Sequence, residues 1–221
     1  MIIAVANEKG GSSKSTLASS LAVEAVVRGF QTLVVDADPQ GTLTEWSAVG
    51  TEEKRVLPTV VAMGDQLRQQ LPMLAGNYSL TFIDLPGRIA KRVAGALMVA
   101  DLVLLPCGPS NADLWALQTT LGMIAEAREL RPDMKIAAVI TRKRPGTTAG
   151  REIRGALEGL GVSVLKTAMC LRETYADALG AGSGPTSFAA SSLAASEVRR
   201  LFDEVESLLG VEASRDEVPA A

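Results

Sequence analysis

The stretch Lys9-Gly10-Gly11-Ser12-Ser13-Lys14-Ser15-Thr16 decides the fold class of this chain. It follows a short apolar run at residues 1–6 and opens a segment with a helical pattern. Glycines let successive backbone N–H groups turn toward an anion, and the start of the next helix adds partial positive charge. Lys14 is placed to reach the outer phosphates of a nucleotide, and the Ser15 hydroxyl is placed to ligate a magnesium ion. The stretch therefore predicts a strand, a phosphate-binding loop and a helix, in that order.

The spacing of this loop departs from the common pattern G-x-x-x-x-G-K-[ST], because Glu8 and Ser13 stand where that pattern has glycine. The loop fits K-G-G-x-x-K-[ST] instead, and in this it resembles the deviant Walker ATPases of the ParA/MinD family. The resemblance implies that ATP and Mg²⁺ bind here, and that Lys9 crosses a dimer interface to contact the partner's nucleotide. The loop residues expected to bind nucleotide are Lys9, Gly10, Gly11, Ser12, Ser13, Lys14, Ser15 and Thr16.

The composition suits one sizeable α/β domain in a reducing compartment. The 221 residues are 47% hydrophobic but only 4% aromatic, which favours a parallel sheet covered by helices over a β-sandwich. The chain has no histidine, so acid–base chemistry would fall to carboxylates, lysines or backbone groups. Cys107 and Cys170 are too few for a disulfide framework or a metal cage within one chain. Because no signal peptide or long apolar span is present, we expect a soluble cytoplasmic protein.

Apolar runs and helical patterns alternate along the chain, which predicts a doubly wound, mostly parallel sheet with helices on both faces. Strands are expected at residues 2–6, 32–36, 80–84, 102–106, 136–141 and 163–165. Helices are expected at residues 15–28, 61–74, 89–99, 114–130, 148–160, 173–179 and 193–209. We expect residues 1–210 to form a single P-loop ATPase domain and residues 211–221 a flexible tail. The Gly- and Ser-rich segment 180–187 reads as a loop.

Acidic residues end two of the expected strands. Ligands of doubly wound sheets collect at the carboxyl ends of strands, so these acids are expected beside the phosphate loop. The segment Asp36-Ala37-Asp38-Pro39-Gln40 resembles the D-x-D-P-Q motif of the family. That resemblance implies that Asp38 positions the attacking water and that Asp36 supports the metal and its water shell. Asp84 is expected to reach Mg²⁺ through water, as a Walker B acid does. The expected metal-site residues are Ser15, Asp36 and Asp84.

The expected catalytic residues are Lys9, Lys14 and Asp38, because phosphoryl transfer to water depends on positioning and charge compensation. By the resemblance, Lys9 of a second subunit acts somewhat like an arginine finger, which makes hydrolysis depend on dimerisation. Pro109 lies in segment 106–110, which resembles a family segment that lines the nucleotide and the dimer face. Arg142, at the end of an expected strand, is expected near the adenine.

A basic stretch between residues 142 and 172 is the candidate DNA surface. It carries seven Lys or Arg side chains and two Glu side chains, a local excess of +5 in a chain of net charge −3. Such side chains bind phosphates without reading sequence, and the binding weakens with salt. A merely solvated face is the alternative interpretation. The expected DNA-binding residues are Lys143, Arg144, Arg151, Arg154, Lys166 and Arg172.

Two further classes remain open. MinD-like members end in a basic amphipathic helix that binds membranes, and the last expected helix here does carry an apolar stripe. Its polar side and the tail after it are rich in acidic residues, which an anionic membrane would repel, so we expect no membrane partner. Nitrogenase iron proteins and ATP-dependent synthetases resemble this loop as well, but neither cysteine lies in the glycine-rich context of an iron–sulfur ligand.

The resemblance is strongest to the short ParA-type partition ATPases that lack an N-terminal helix-turn-helix. It implies an ATP-bound homodimer that binds nonspecific DNA, and a small ParB-like protein or cargo adaptor that stimulates hydrolysis. Such a protein associates with the nucleoid and partitions plasmid or chromosomal DNA. Positioning of carboxysomes or chemoreceptor clusters is an alternative, as is a MinD-like ATPase of the membrane surface, because the partner specifies the cargo.

Overall fold

The computed structural model describes residues 1–211, and its centre is a seven-stranded sheet. The strands are β1 (Ile2–Val5), β2 (Thr32–Asp36), β3 (Thr59–Ala62), β4 (Leu80–Asp84), β5 (Leu102–Cys107), β6 (Lys135–Lys143) and β7 (Met169–Cys170). Their order is β3-β2-β4-β1-β5-β6-β7, and each neighbouring pair is parallel. Apart from Val211, the tail expected at 211–221 lies outside the described residues.

Helices cover both faces of this sheet. They are α1 (Lys14–Val27), α2 (Thr42–Glu52), α3 (Leu67–Ala75), α4 (Ala90–Leu97), α5 (Asn111–Leu130), α6 (Ala149–Gly159), α7 (Glu173–Gly180), α8 (Pro185–Phe188) and α9 (Leu193–Leu209). The prediction of a doubly wound parallel sheet is thereby confirmed. None of the helices between residues 1 and 211 is both long and apolar enough to span a lipid bilayer.

The inner strands are buried on both faces, which explains their continuous apolar sequences. Every residue of β1, β2, β4 and β5 is buried. Successive side chains of a strand point to opposite faces, so Ile2 and Ala4 of β1 pack into the core beneath α3, α4, α5 and α6. Ile3 and Val5 pack into the second core, beneath α1 and α9. These two cores hold the strand ends rigidly in place.

The topology brings the ends of three strands together at one edge of the sheet. β1 lies between β4 and β5, so successive strands are added first on one side of β1 and then on the other. Val5 of β1 and Asp36 of β2 are both register partners of Asp84 in β4. Open α/β sheets bind ligands at such a switch point, outside the carboxyl ends of the strands. The loop at residues 9–16, soon after β1, therefore lies beside both carboxylates.

Two elements before β4 differ from the sequence prediction. A helix is predicted from residue 61, whereas the structure has the edge strand β3 at this point and α3 begins only at Leu67. The β-branched residues of Thr59-Val60-Val61 pair along β2, so sheet pairing outweighs the helical pattern. Helix α2 is not predicted at all, because its buried residues are few: Leu43, Trp46 and Gly50.

The region after β6 also differs from the prediction. The strand predicted at 163–165 is reduced to a single bridge between Ala138 and Val164, and β7 closes the sheet instead. The predicted loop at 180–187 contains the start of α8, with Pro185 in its first turn, where proline is favoured. Gly182 of this segment has φ +61, and a β-carbon there would collide with the backbone of Gly50. This close approach joins the loop to α2.

Candidate active site

Asn7 holds the start of the phosphate loop (residues 9–16) against the neighbouring strand. The Asn7 side chain donates from Nδ2 to the Pro106 carbonyl at 2.7 Å, and its Oδ1 accepts from the Lys9 N–H at 2.8 Å. The Glu8 N–H donates to Thr120 Oγ1 at 3.1 Å. The loop is thus tied to β5 and α5 before it begins. The sequence does not predict a role for Asn7, whose one signal is a polar residue directly after a buried strand.

The phosphate loop turns through two residues with left-handed backbone. Gly11 has φ +69 and Ser13 has φ 72, a region that favours glycine. Ser13 precedes α1, but its side chain makes no capping hydrogen bond to the first turn of that helix. Gly10 is exposed and Ser12 is buried, with Thr16 half-buried in the first turn. This helix end can therefore receive an anion on its backbone N–H groups.

Lys14 lies at the mouth of the loop, with its ammonium group facing inward. It is 8% exposed, and Nζ donates to the Lys9 carbonyl at 3.3 Å. Burial lowers the pKa of this ammonium, while the charges of Asp84 and Asp38 partly offset the effect. A buried cation with one long, neutral hydrogen bond is suited to binding an anionic ligand.

Asp84 and Ser15 form a pair whose oxygens fit a magnesium site. Ser15 Oγ donates to Asp84 Oδ2 at 2.5 Å, whereas the buried Asp84 Oδ1 has no partner within residues 1–211. Burial, with a smaller effect from the nearby charge of Asp36, raises the pKa of Asp84 to about 7, although the Ser15 hydrogen bond acts the other way. Mg²⁺ prefers oxygen ligands, and a cation here would satisfy the unpartnered carboxylate oxygen. The residues present therefore fit Mg²⁺.

Asp36 and Asp38 lie on the other side of the same edge. Asp36 Oδ2 accepts from both the N–H and the hydroxyl of Thr44, at 2.8 and 2.9 Å, so Asp36 is held tightly by α2. Asp38 Oδ1 accepts from the Gln40 N–H at 3.0 Å, and Asp38 is half-buried. Both carboxylates line a cavity of about 470 Å³. Thr44 is not predicted as a site residue, because the sequence predicts no helix at this point.

A second cluster forms around the buried carboxylate of Asp113, in the first turn of α5. Asp113 Oδ1 accepts from Lys9 Nζ at 2.8 Å and from Arg142 Nη2 at 2.7 Å, and Ser110 Oγ donates to Oδ2 at 2.5 Å. Burial alone would raise the pKa of Asp113, but the hydrogen bonds from Lys9 and Ser110 and the charge of Arg142 hold it below its ordinary value. Within one subunit, Asp113 therefore holds two cations of the predicted nucleotide site.

Asp113 was not identified from the sequence, although a signal for it exists. Ser110 and Asp113 form an S-x-x-D helix start, in which Ser110 Oγ also accepts from the Asp113 N–H at 3.2 Å. Gly108 lies so close that a β-carbon there would collide with Asp113 and Arg142. Pro109, between Gly108 and Ser110, is half-buried and lies just after the end of β5.

The structure divides the basic stretch into two groups. Arg154 donates to the Val164 and Leu165 carbonyls at 3.1 and 2.6 Å, and Arg172 pairs with Glu197 at 2.7 Å, so both guanidinium groups serve packing contacts. Arg142 pairs with Asp113, whereas the remaining four members make no ion pair with any of residues 1–211. These are the exposed Arg144, Arg151 and Lys166, and the half-buried Lys143.

Comparison with protein families finds a match to the CobQ/CobB/MinD/ParA nucleotide binding domain over residues 3–185. The chain is 33% identical over 206 residues to the maintenance of carboxysome distribution protein A of Halothiobacillus neapolitanus, covering 92% of this chain and 95% of that protein. It is 29% identical over 182 residues to the protein ParA of Rhizobium radiobacter, covering 79% of this chain and 80% of that protein.

Solved structures share the fold. A cobyrinic acid a,c-diamide synthase of Mycobacterium smegmatis with bound ADP and magnesium superposes with a TM-score of 0.75 at 20% identity, covering 95% of this chain and 96% of that chain. An ATP complex of a Cyanothece McdA variant gives a TM-score of 0.74 at 17% identity, covering 96% of each chain.

Proposed function

The chain belongs to the CobQ/CobB/MinD/ParA family of nucleotide-binding domains and has the fold of its ParA/MinD ATPases. From that premise we propose that it is an ATP-dependent positioning switch. In this proposal, ATP with Mg²⁺ promotes a homodimer that binds nonspecific DNA, and a partner protein stimulates hydrolysis and release. One observation carries the nucleotide part of the proposal: the open end of α1, Lys14 and the Asp84 oxygen that has no partner within residues 1–211 lie together beside β1. A phosphate chain and a cation would satisfy all three.

The phosphate loop and its lysine would hold the nucleotide. Backbone N–H groups of residues 10–16 would contact the phosphates, since Gly10 and Gly11 leave space around the loop. Ser15 and Asp84 would hold Mg²⁺, and Asp36 would order its water shell. When bound, Mg²⁺ neutralises charge on the phosphate oxygens.

Asp38 is proposed to orient the attacking water. It lines the cavity beside Asp36, and its charge raises the pKa of Lys14, which supports a place near the phosphates. A carboxylate that accepts a hydrogen bond from water sets the direction of attack without covalent chemistry. Lys14 compensates the charge that develops on the phosphates.

Dimerisation is proposed to complete the site through Lys9. In the single subunit, Lys9 is held by Asp113 at 2.8 Å. Its ammonium group would have to leave Asp113 before it could contact a partner's nucleotide. Hydrolysis would then depend on assembly, which suits a slow switch better than a metabolic enzyme.

The proposed DNA surface uses Lys143, Arg144, Arg151 and Lys166. Their charged groups make no ion pair with any of residues 1–211, whereas Arg154 and Arg172 serve packing contacts. Each subunit would contact four DNA phosphates and a homodimer twice as many, so the affinity for DNA would fall steeply as salt rises. The DNA contact would tie the dimer to the nucleoid.

Two cargoes are compatible with this switch. Plasmid or chromosomal DNA is the cargo suggested by the similarity to ParA. A protein assembly such as the carboxysome is favoured by the 33% identity to a carboxysome distribution protein over nearly its whole length. The stimulating partner would be a small ParB-like protein in the first case and a cargo adaptor in the second.

The nucleotide part of the proposal is tested by ATP hydrolysis and by the mass of the protein in solution. We expect slow, Mg²⁺-dependent hydrolysis and a dimer in ATP but not in ADP. Lys14→Ala should abolish nucleotide binding, whereas Asp38→Ala should trap an ATP-bound dimer with slow turnover. Hydrolysis by Asp38→Ala at the rate of the unaltered chain would contradict the role of Asp38.

A further inference from the structure

The peptide unit that joins Ala37 to Asp38 is held at both ends. The Asp38 N–H donates to Asp36 Oδ1 at 3.2 Å, and the Ala37 carbonyl accepts from Arg92 Nη1 at 2.8 Å. Because a peptide unit is planar, fixing its N–H and its carbonyl fixes the plane. The plane in turn fixes the position of the Asp38 Cα, from which the side chain leaves the backbone.

Arg92 reaches this peptide from α4, on the far side of the cavity. Its Nε donates to Asp65 Oδ1 at 3.1 Å, so one guanidinium group bridges a carboxylate and the Ala37 carbonyl. Its side chain is 20% exposed and lines the cavity of about 470 Å³ together with Asp36 and Asp38. A planar guanidinium presents Nε and Nη1 in fixed directions, so it holds both acceptors at once with little freedom.

The neighbouring Lys91 has only part of these contacts. Its Nζ donates to Asp65 Oδ2 at 3.0 Å, but its side chain is 72% exposed and makes no hydrogen bond to Ala37. Lys91 and Arg92 therefore share Asp65 as an acceptor, but only Arg92 also donates to the Ala37 carbonyl. This makes Lys91 a matched control for Arg92.

The connection between β4 and α4 links Arg92 to the phosphate loop. A β-carbon at Gly87, in this connection, would lie 2.5 Å from the Glu8 carbonyl oxygen, so the two segments are in close contact. Asp84 ends β4 just before this connection. A shift at the phosphate loop or at Asp84 would therefore move the start of α4, and Arg92 with it.

We propose that Arg92 is a positioning residue for ATP hydrolysis, which orients Asp38 through the Ala37 carbonyl and makes that orientation depend on the position of α4. This inference rests on the proposed function, in which Asp38 orients the attacking water. Arg92 acts through the Asp38 peptide and needs no contact with the nucleotide.

Steady-state kinetics of three variants test this role. Arg92→Ala should lower kcat about tenfold and change KM for ATP by less than about twofold, because misplacing a water-orienting group affects turnover more than binding. Lys91→Ala should leave both parameters unchanged. Arg92→Lys should restore part of kcat, because one ammonium group can still bind the Ala37 carbonyl. Equal effects of Arg92→Ala and Lys91→Ala, or a rise in KM at constant kcat, would overturn the proposal.

Amide hydrogen exchange of the nucleotide-free chain gives a readout that does not need hydrolysis. The Asp38 amide should exchange about tenfold faster in Arg92→Ala than in the unaltered chain, and at the unaltered rate in Lys91→Ala. Unchanged exchange in Arg92→Ala, in a chain that hydrolyses ATP, would overturn the role of Arg92 alone. If the unaltered chain does not hydrolyse ATP, the proposed function fails and the role of Arg92 in hydrolysis fails with it.

Discussion

Asp113 determines where two cations of the candidate site point in a single subunit. Its side chain is 3% exposed and accepts from both Lys9 and Arg142. Breaking such a pair leaves two cations without their partner, but both are about one-third exposed, so water recovers part of the loss. Asp113 thereby holds Lys9 within its own subunit.

Replacement of Asp113 should lower stability measurably. We expect Asp113→Ala to reduce the free energy of unfolding by about 1–2 kcal/mol, because the ion pairs and a helix-start hydrogen bond are lost. Urea denaturation of the nucleotide-free chain measures this. Asp133→Ala, which removes an exposed aspartate, is the control and should change stability by less than about 0.5 kcal/mol. Equal stability of the two variants would contradict the role given to Asp113.

The two glycines of the phosphate loop allow a test of backbone conformation alone. A β-carbon at Gly10 or Gly11 would meet no atom within 4 Å, but only Gly11 has a left-handed φ, of +69. Gly11→Ala should therefore lower the free energy of unfolding by about 1 kcal/mol, and Gly10→Ala should not lower it. Thermal denaturation of both variants checks this, and a larger loss in Gly10→Ala would show that the loop conformation is different.

The raised pKa of Asp84 predicts a pH dependence. The pKa of Asp84 is about 7 in the folded chain, against an ordinary value of 3.8. Between these pH values the folded chain keeps a proton on Asp84 that the unfolded chain has lost. The stability that this proton contributes is therefore full below pH 3.8 and is lost as pH rises through 7. Asp84→Asn removes the titration and keeps an acceptor for Ser15. We expect this variant to be more stable than the unaltered chain at pH 8, by about 2 kcal/mol, with the difference shrinking toward pH 5. Urea denaturation without Mg²⁺ measures the difference in stability between the two chains. A difference that does not change with pH would contradict the raised pKa.

At the scale of elements, Glu197 of α9 joins β7 and α7 to the last helix. It accepts from Arg172 Nη2 at 2.7 Å, from the Tyr175 hydroxyl at 3.0 Å and from the Cys170 N–H at 3.1 Å. Burial would raise the pKa of Glu197, but these donors, Arg172 first, hold it below its ordinary value. The cluster therefore fastens the edge of the sheet to α9.

This role separates Arg172 from the rest of the basic stretch. Arg172→Ala should lower the free energy of unfolding by about 1–2 kcal/mol, because Glu197 keeps its buried charge and loses its ionic partner. Lys166→Ala, at an exposed position, should leave stability unchanged and weaken DNA binding instead. Urea denaturation and a duplex-binding assay on both variants distinguish the roles. If the Arg172→Ala variant kept its stability and bound DNA poorly, Arg172 would be a DNA-binding residue instead.

The elements that the sequence predicts well are those with one dominant physical signal. β1, β2, β4 and β5 are continuous apolar runs buried on both faces, and α9 has a full apolar stripe, so all five are found within about two residues. β3 is short and lies at an edge, so its partner strand, rather than its own sequence, decides its conformation. Helix α2 buries too few side chains to give a periodic signal.

At the scale of the whole molecule, the doubly wound sheet explains why local motifs suffice to locate the site. The phosphate loop, Asp36 and Asp84 each follow or end a parallel strand, and parallel strands all end at the same edge. Contacts between distant segments follow from tertiary packing instead. Lys9 meets Asp113 across 104 positions and Arg92 meets Ala37 across 55, and no spacing rule predicts either contact.

The central claim is that the nucleotide controls attachment to DNA, and binding to a nonspecific duplex tests it most directly. The full chain would be titrated with the duplex in ATP and Mg²⁺, in ADP and Mg²⁺, and without nucleotide, across a series of salt concentrations. The account predicts binding in ATP alone, which weakens steeply as salt rises. The quadruple variant Lys143→Ala, Arg144→Ala, Arg151→Ala and Lys166→Ala should dimerise in ATP and lose this binding. Absence of binding in ATP, or equal binding in all three states, would contradict the account.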